Sequence, residues 1–400
     1  MDSIRMGLRR FIVVGLLGSL LNCPESVMAE GWAVSGALGG GAFSGKAASN
    51  MDLALDFAGQ SRAGSSYGIG FGVRLNFLQG EGVRAADWDQ ASEIAQLVRY
   101  AVYTSGSGAK GPAIAVALGS LGNTQLGDGA IVSGFTTALN ADRHRVGMHF
   151  RGQGKATEVE LLIDDIASPR IVGGQGRLGY DERFGGVLSL LHEAGQSMVS
   201  ERTTLGGGLS VSKMSREKDV RLTGQVEVIG RIKHGAGLHI GSTARMQFSE
   251  QARLHLQAEL VRTRGAYNPW RYGPLYEVEK TSPEGERDGF WARALLRAEH
   301  SSLGSFEVGF QRRLARPDLT SLRVELPAFE RVQLAGWLAL SARERRPVES
   351  ALAVEARASI NERTYVTAEI SRRYEEKMPG ILSPFWSGFV ALGVRMHGSN

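Results

Sequence analysis

The chain has 400 residues, with 46 Lys and Arg against 41 Asp and Glu (net charge +5), one cysteine, 53 glycines and 11 prolines. One cysteine excludes a disulfide framework. No later stretch reaches the ~18 consecutive apolar residues of a transmembrane helix, so any membrane crossing falls to strands.

Chain order begins with MDSIRMGLRR, carrying Arg5, Arg9 and Arg10, then the apolar run Phe11 to Leu21, then Val27 and Ala29 as small residues before a cut. This is the three-part pattern of a secretory signal peptide over residues 1–29, with cleavage expected after Ala29. Cys23 leaves with it, and Asn22 stands where a lipoprotein would want a small residue. Export argues against nucleic acid as the partner of a basic chain. Arg and Glu alternating on solvated faces explain the charge, with an anion-friendly interior as a further implication.

Residues 30–48 (EGWAVSGALGGGAFSGKAA) read as a flexible Gly/Ala-rich lead or a weak first strand, with the lead preferred, ahead of a body spanning 49–400. NMDLALDFAG and YGIGFGVRLNFL then read as strands. Residues 81–96 break the rhythm and read as a loop. LVRYAVYTS and GPAIAVALGS flank the turn GSGAKG. Period-two alternation continues in KATEVELLID, RLTGQVEVIG, RLHLQAEL, GSFEVGFQRR, SLRVELP, SALAVEARASI and RTYVTAEISR, and PFWSGFVALGVRM closes the chain. Successive side chains on a strand point to opposite faces, so each segment has one apolar and one polar face. Strand and helix do not alternate, which excludes a βαβ architecture.

Soluble strands average ~5–6 residues, whereas membrane-spanning ones need ~9–11. Segments 252–260, 350–360 and 363–371 alternate over the longer distance. An open sheet of this size would leave two aggregation-prone edges, and closure removes them. The expected fold is all-β, a transmembrane antiparallel up-and-down β-barrel. At ~22 residues per strand and turn, the mature chain makes about 16 strands, within a range of ~14 to ~18. Trp291 and Trp386 fall near strand starts, where interface aromatics belong, and Trp337 falls within a strand.

Residues 49–396 resemble Gram-negative outer-membrane β-barrel proteins of the porin-like type, an uncharacterised family. The most distinctive stretch is LVRYAVYTSGSGAKGPAIAVALGSLGNTQLGDGAIVSGF (97–135), continuing through ADRHRVGMHF and SPRIVGGQGRLGY. The resemblance implies strand, short turn and strand in that order, and a membrane-embedded barrel with no known cargo. Such barrels usually end on an aromatic residue; here Phe389 and Val394 lie in the last strand and the chain continues through HGSN.

Chemical motifs are few. GSGAKG (106–111) and GSSYG (64–68) fit a dinucleotide loop and a nucleophile elbow, but each precedes a strand where those sites need a helix. His144 and His149, spaced by five, fall on opposite strand faces, which argues against a metal pair with Asp142. Asp164 and Asp165 read as a solvated turn. A hydrolase would need a serine, a histidine and an orienting acid. Of His300, Ser301 and Ser302, only His300 and Ser302 can converge, and no acid is evident.

The function expected is a non-catalytic outer-membrane channel without cofactor or metal. It would pass small hydrophilic solutes, with outer-membrane lipid as its surroundings and its oligomeric state open. Arg253, His255, Gln257, Glu259, Arg293, Arg297, Glu299, Arg323, Glu325, Glu355 and Arg357 are expected to line the lumen. The arginines would give an anion bias, with Glu259, Glu299, Glu325 and Glu355 as counter-charges. Loop 263–289 carries Arg264, Tyr267, Trp270, Arg271, Tyr272 and Tyr276, either as a contact surface for sugars or partners or as a loop packed on its own aromatics. The alternative function is a plugged structural or assembly barrel acting through its outer loops. An outer-membrane hydrolase ranks below both.

Overall fold

The computed structural model describes residues 31–398 except 62–64, 85–96, 106–112, 141–144, 180–182, 196–200, 216–218, 250, 280–287, 314–316, 330, 344–345 and 379–380. The signal segment, the GSGAKG turn, Asp142 and His144 lie outside the described residues.

The strands run in chain order as β1 (Gly31–Phe43), β2 (Lys46–Gln60), β3 (Ser66–Leu78), β4 (Gly82–Val83), β5 (Val98–Thr104), β6 (Ala113–Gly119) and β7 (Gly147–Gln153). They continue as β8 (Thr157–Ile163), β9 (Ile171–Gly179), β10 (Phe184–Glu193), β11 (Arg202–Met214), β12 (Val220–Arg231), β13 (Gly235–Gln247) and β14 (Ala252–Gly265). After a four-residue helix, α1 (Tyr276–Glu279), come β15 (Gly289–His300), β16 (Gly304–Arg312), β17 (Asp318–Phe329), β18 (Val332–Arg343), β19 (Arg346–Ser359), β20 (Thr364–Met378) and β21 (Ile381–Gly398). Each strand pairs antiparallel with its neighbour in sequence, save that β4 pairs only with β3, and β3 pairs onward with β5. β21 returns to β1, from Trp32↔Gly398 to Phe43↔Ser387, and closes the sheet. Setting β4 aside, the barrel has 20 strands.

Two expectations change. The count rises from about 16 to 20 because most connections at the terminal end are short turns, so each strand uses less chain than assumed. Residues 31–43 are no lead: they form β1, paired on both sides. Their alternation is masked because the inward positions Ser35, Ala37 and Gly39 are small, while Trp32 and Leu38 face out.

Burial follows the period-two rule. Along β14, Gln257, Glu259, Val261 and Thr263 are buried, while Ala258, Leu260, Arg262 and Arg264 are exposed. The same phase leaves Leu188, Leu209, Val228, Ile240, Phe310, Val390 and Leu392 exposed around the outside. A closed barrel with an apolar outer belt and a charged interior satisfies every strand hydrogen bond within lipid. This is an outer-membrane barrel. Exposed Trp32, Phe184, Phe290 and Trp386 lie near strand ends, at the depth of interface aromatics. Trp291 does not join them: it turns inward, 1% exposed, and its Nε1 donates to Thr263. Trp337 also packs inside, against an inner apolar cluster.

Large inner side chains lie flat over cross-strand glycines. Tyr100 covers Gly70 and Arg99 covers Gly72; a Cβ on either glycine would come within 2.4 Å of them. A bulge between Gly70 and Phe71 brings Arg99 inward beside Tyr100. The outer face makes a direct prediction. Ile240 is 53% exposed near the middle of β13. Ile240→Arg is expected to cost about 2–4 kcal/mol by urea unfolding in vesicles, as a charge at mid-bilayer does.

Candidate functional site: the charged interior and its inserted loops

Gly31 and Gly398 lie at one end of the barrel, and the long connections that follow β3, β6 and β14 leave from the other. Outer-membrane barrels carry short turns toward the periplasm and long loops outside. The long-loop mouth is therefore the external one.

Two of these loops fold into the barrel. The resemblance over 97–135 implies strand, short turn and strand in that order, and the structure departs from it after β6, where no further strand follows before β7 among the described residues. Instead residues 120–146 carry Leu121, Leu126, Ile131, Val132 and Phe135 inward, all buried, to pack on Leu162, Ile171, Leu191, Ile229 and Val261 of the wall. The stretch entering here lies between β6 and β7, each only 7 residues long. Loop 266–279 joins the same core through Tyr267, Trp270, Tyr272 and Tyr276. The two loops meet where Ser133 N–H donates to Tyr272 O and Val132 bridges Tyr272. Across the barrel, Leu139 and Leu275 pack against Leu319, Ala339, Ala351 and Tyr374, and Tyr374 N–H donates to Leu139 O. Together the loops reach from β8 to β20.

The inserted tip is LGDGA, residues 126–130. Gly127 has φ +58° and sits against Gln175, where a Cβ would fall 1.3 Å from Oε1. The left-handed backbone and this close approach both favour glycine. Gly127 N–H donates to Glu160 at 2.6 Å, and Asp128 accepts from Arg177 at 2.5 Å. The carbonyls of Asp128 and Gly129 accept from Arg293 at 2.8 and 2.7 Å, and Gln257 also donates to Asp128 O at 2.7 Å.

Behind the tip lies a buried network. Glu259 pairs with Arg293 at 2.7 Å and accepts from His239 at 2.5 Å and Trp270 at 3.1 Å. A carboxylate can only accept, so His239 Nδ1 carries the proton between them; Nε2 meets the Tyr267 hydroxyl at 2.9 Å. Burial, then the nearby Glu259, raise the Tyr267 hydroxyl well above its usual range. It stays protonated and donates. Trp270 holds a left-handed backbone (φ 53°), a costly conformation for a bulky residue. Its ring is fixed by Trp291 edge-on at 6.5 Å and by Arg293 at 5.4 Å.

A second anchor is Glu193, 1% exposed at the end of β10. It accepts from Tyr272 at 3.0 Å and from Tyr276, and pairs with Arg202 at 3.2 Å and Arg271 at 3.5 Å.

The residues singled out from sequence separate into three groups. Arg293, Glu259 and Gln257 hold the inserted loop. Arg297 pairs with Glu299 at 2.6 Å and Arg357 with Glu355 at 3.5 Å, both half-exposed, and Arg323 pairs with Glu325 along one strand. Arg253 and His255 sit half-buried toward the terminal end of β14. Of the loop residues, Tyr267, Trp270, Arg271, Tyr272 and Tyr276 are buried inside, whereas Arg264 is exposed on β14. Asp164 is no solvated turn residue: it is fully buried and accepts from the Arg170 and Ile171 amides and Arg145. His300 Nδ1 does meet Ser302 Oγ at 3.1 Å, but it also accepts the Ser302 and Leu303 amides, which makes it the cap of a tight turn.

Sequence reasoning missed Asp128, Arg177, Glu160, Glu193 and His239. The LGDGA tip was the available signal: two glycines around an aspartate in a stretch without alternation.

No protein-family model matches the chain, and no curated protein does. Solved structures that it resembles include Pseudomonas aeruginosa OccK11 (OpdR), at 11% identity over 93% of this chain and 99% of that one, TM-score 0.38. Acinetobacter baumannii OccAB3 matches at 9% identity over 92% and 98%, TM-score 0.35. The outer membrane protein OpdK from Pseudomonas aeruginosa matches at 10% identity over 92% and 99%, TM-score 0.34. At these identities and TM-scores no property of those proteins transfers to this chain.

Proposed function

We propose that the protein is an outer-membrane channel passing small hydrophilic solutes along the part of the lumen that its inserted loops leave uncovered. The observation that carries this reading is the contrast in exposure between two sets of inner charges. Under the loops, Arg293 and Glu259 side chains are 3% and 1% exposed; in the arc from β20 through β21 to β3, Arg74 and Asp52 are 48% and 28% exposed. Arg74 spans Asp52 at 2.7 Å and Glu369 at 3.1 Å across the small inward residues of β1 and β21, Gly39 and Ala391 among them. Arg99 pairs with Asp56 beside them. Water-facing opposite charges in a narrow path set a transverse field that orders solutes by charge.

An anion bias is supported at the terminal-side mouth. Arg221, Arg245, His255 and Arg297 stand opposite one another on four successive strands, a basic row across β12 to β15. Arg221→Glu with Arg245→Glu is expected to move the reversal potential in a salt gradient toward cations. An unchanged reversal potential would remove the anion bias from the reading. A second reading, a plugged barrel acting through its loops, has the buried aromatic core of loop 266–279 in its favour.

A further inference from the structure

The outer face changes character at the external end of β14. Its outward positions run Ala252, Leu254, Leu256, Ala258 and Leu260, and then reach Arg262 and Arg264. Ten residues separate Ala252 from Arg262. At ~3.4 Å per residue and a tilt of ~40°, they climb ~26 Å, close to the ~25 Å height of the apolar band. Arg262 therefore stands at the external edge of that band. Among the described outward positions of β12 to β15, Arg262 and Arg264 alone carry a permanent charge.

Both residues are exposed. The Arg262 guanidinium lies over the Phe290 ring, 4.6 Å from its centroid, and Phe290 is its outward cross-strand partner on β15. This contact holds the guanidinium at the membrane edge. On the other side Leu238 pairs with Arg262 and Ala236 with Arg264. Lys233, in the turn from β12 to β13, is exposed on the same rim, where His234 O accepts the Ala266 amide at 2.7 Å. Among the described residues, neither Arg262 nor Arg264 has a carboxylate within ion-pair distance. Asp288, which precedes β15, accepts the Gly265 amide at 2.8 Å. Cations are costly against acyl chains but meet anionic groups at headgroup level. The planar fork of arginine matches phosphate oxygens two at a time.

We propose that Arg262 and Arg264, with Lys233 beside them, bind the phosphorylated headgroup of an outer-leaflet lipid, whose acyl chains lie along Leu238, Ile240 and Leu260. The phosphate accepts from both guanidinium groups through charge-assisted hydrogen bonds. The site stands whether or not the lumen conducts.

The test titrates the full-length barrel, refolded in neutral detergent, with bisphosphorylated lipid A and counts bound lipid by native mass spectrometry. Saturable binding is expected, with lipid A stripped of its phosphates at least tenfold weaker. Arg262→Gln combined with Arg264→Gln is expected to weaken binding at least tenfold. Lys213→Gln, outward at the terminal end of β11, leaves it unchanged. Both arginines point away from the packed interior, so the variants keep the barrel. Arg262→Lys, with the charge but not the fork, should fall between the double variant and the unaltered protein. Equal binding in the double variant, or of the two lipids, would overturn the proposal. Inorganic phosphate binding as tightly as the lipid would also overturn it, since a free-anion site needs no membrane edge.

Discussion

Arg293→Met is expected to destabilise the barrel by about 3–5 kcal/mol, because it removes one partner of a buried ion pair and leaves the other uncompensated. Glu259 is 2% exposed, and its closest cation is Arg293 at 2.7 Å. The same guanidinium holds two carbonyls of the inserted tip and lies against the Trp270 ring. Methionine keeps much of the volume but supplies no donor. The loop tip should detach with the loss of stability, so mean conductance should rise and become noisy. Urea unfolding in vesicles and single-channel recording check the two parts separately. A cost below about 1 kcal/mol would mean that the pair is solvated and does not anchor the loop. Adding Glu259→Gln to Arg293→Met is expected to recover part of the loss, since the stranded charge is then gone.

Glu193→Leu should have an effect of similar size, about 3–5 kcal/mol, by removing the buried carboxylate that Arg202 and Arg271 share. Arg202 and Arg271 lose their shared carboxylate, and the Tyr272 and Tyr276 hydroxyls lose their acceptor. Burial, then the charge of Glu193, raise the Tyr272 hydroxyl well above its ordinary value, so it is a donor at any working pH. Its partner is therefore needed as an acceptor throughout. The loop should become accessible, and protease should cleave within 266–279 in the variant while sparing that segment in the unaltered barrel. Equal resistance in both would show that apolar packing alone seats the loop.

The outer and inner faces were legible in the sequence because lipid and water impose a strict period of two. The leucines of RLHLQAEL show it most clearly, with Leu260 exposed and Glu259 two per cent exposed on the same strand. The strand number was less legible. It depends on how tightly hairpins turn, and two-residue connections such as Ser44–Gly45 between β1 and β2 leave little trace. β1 was hidden because glycine and alanine fill its inner face, so the polar half of the pattern is missing there. The inserted loops were hidden for a different reason. A loop buried inside a barrel satisfies its backbone with wall side chains, as Arg293 and Gln257 do for Asp128 and Gly129, and needs no periodicity. Its apolar residues Leu126, Ile131, Val132 and Phe135 then look like a strand. The ion pairs Arg293–Glu259, Arg297–Glu299 and Arg357–Glu355 join residues singled out by alternation, but alternation cannot show which of them a loop will cover.

The proposed channel requires a water-filled path beside the inserted loops, in the arc bearing Asp52, Arg74 and Glu369. Single-channel recording of residues 30–400 refolded into a planar bilayer tests it most directly, with Arg74→Ala alongside. Discrete conductance steps are expected in the unaltered protein and a larger step in Arg74→Ala, because the side chain that crosses the path is gone. A silent bilayer for both proteins, with circular dichroism showing an inserted barrel, would contradict it and leave a plugged barrel in its place.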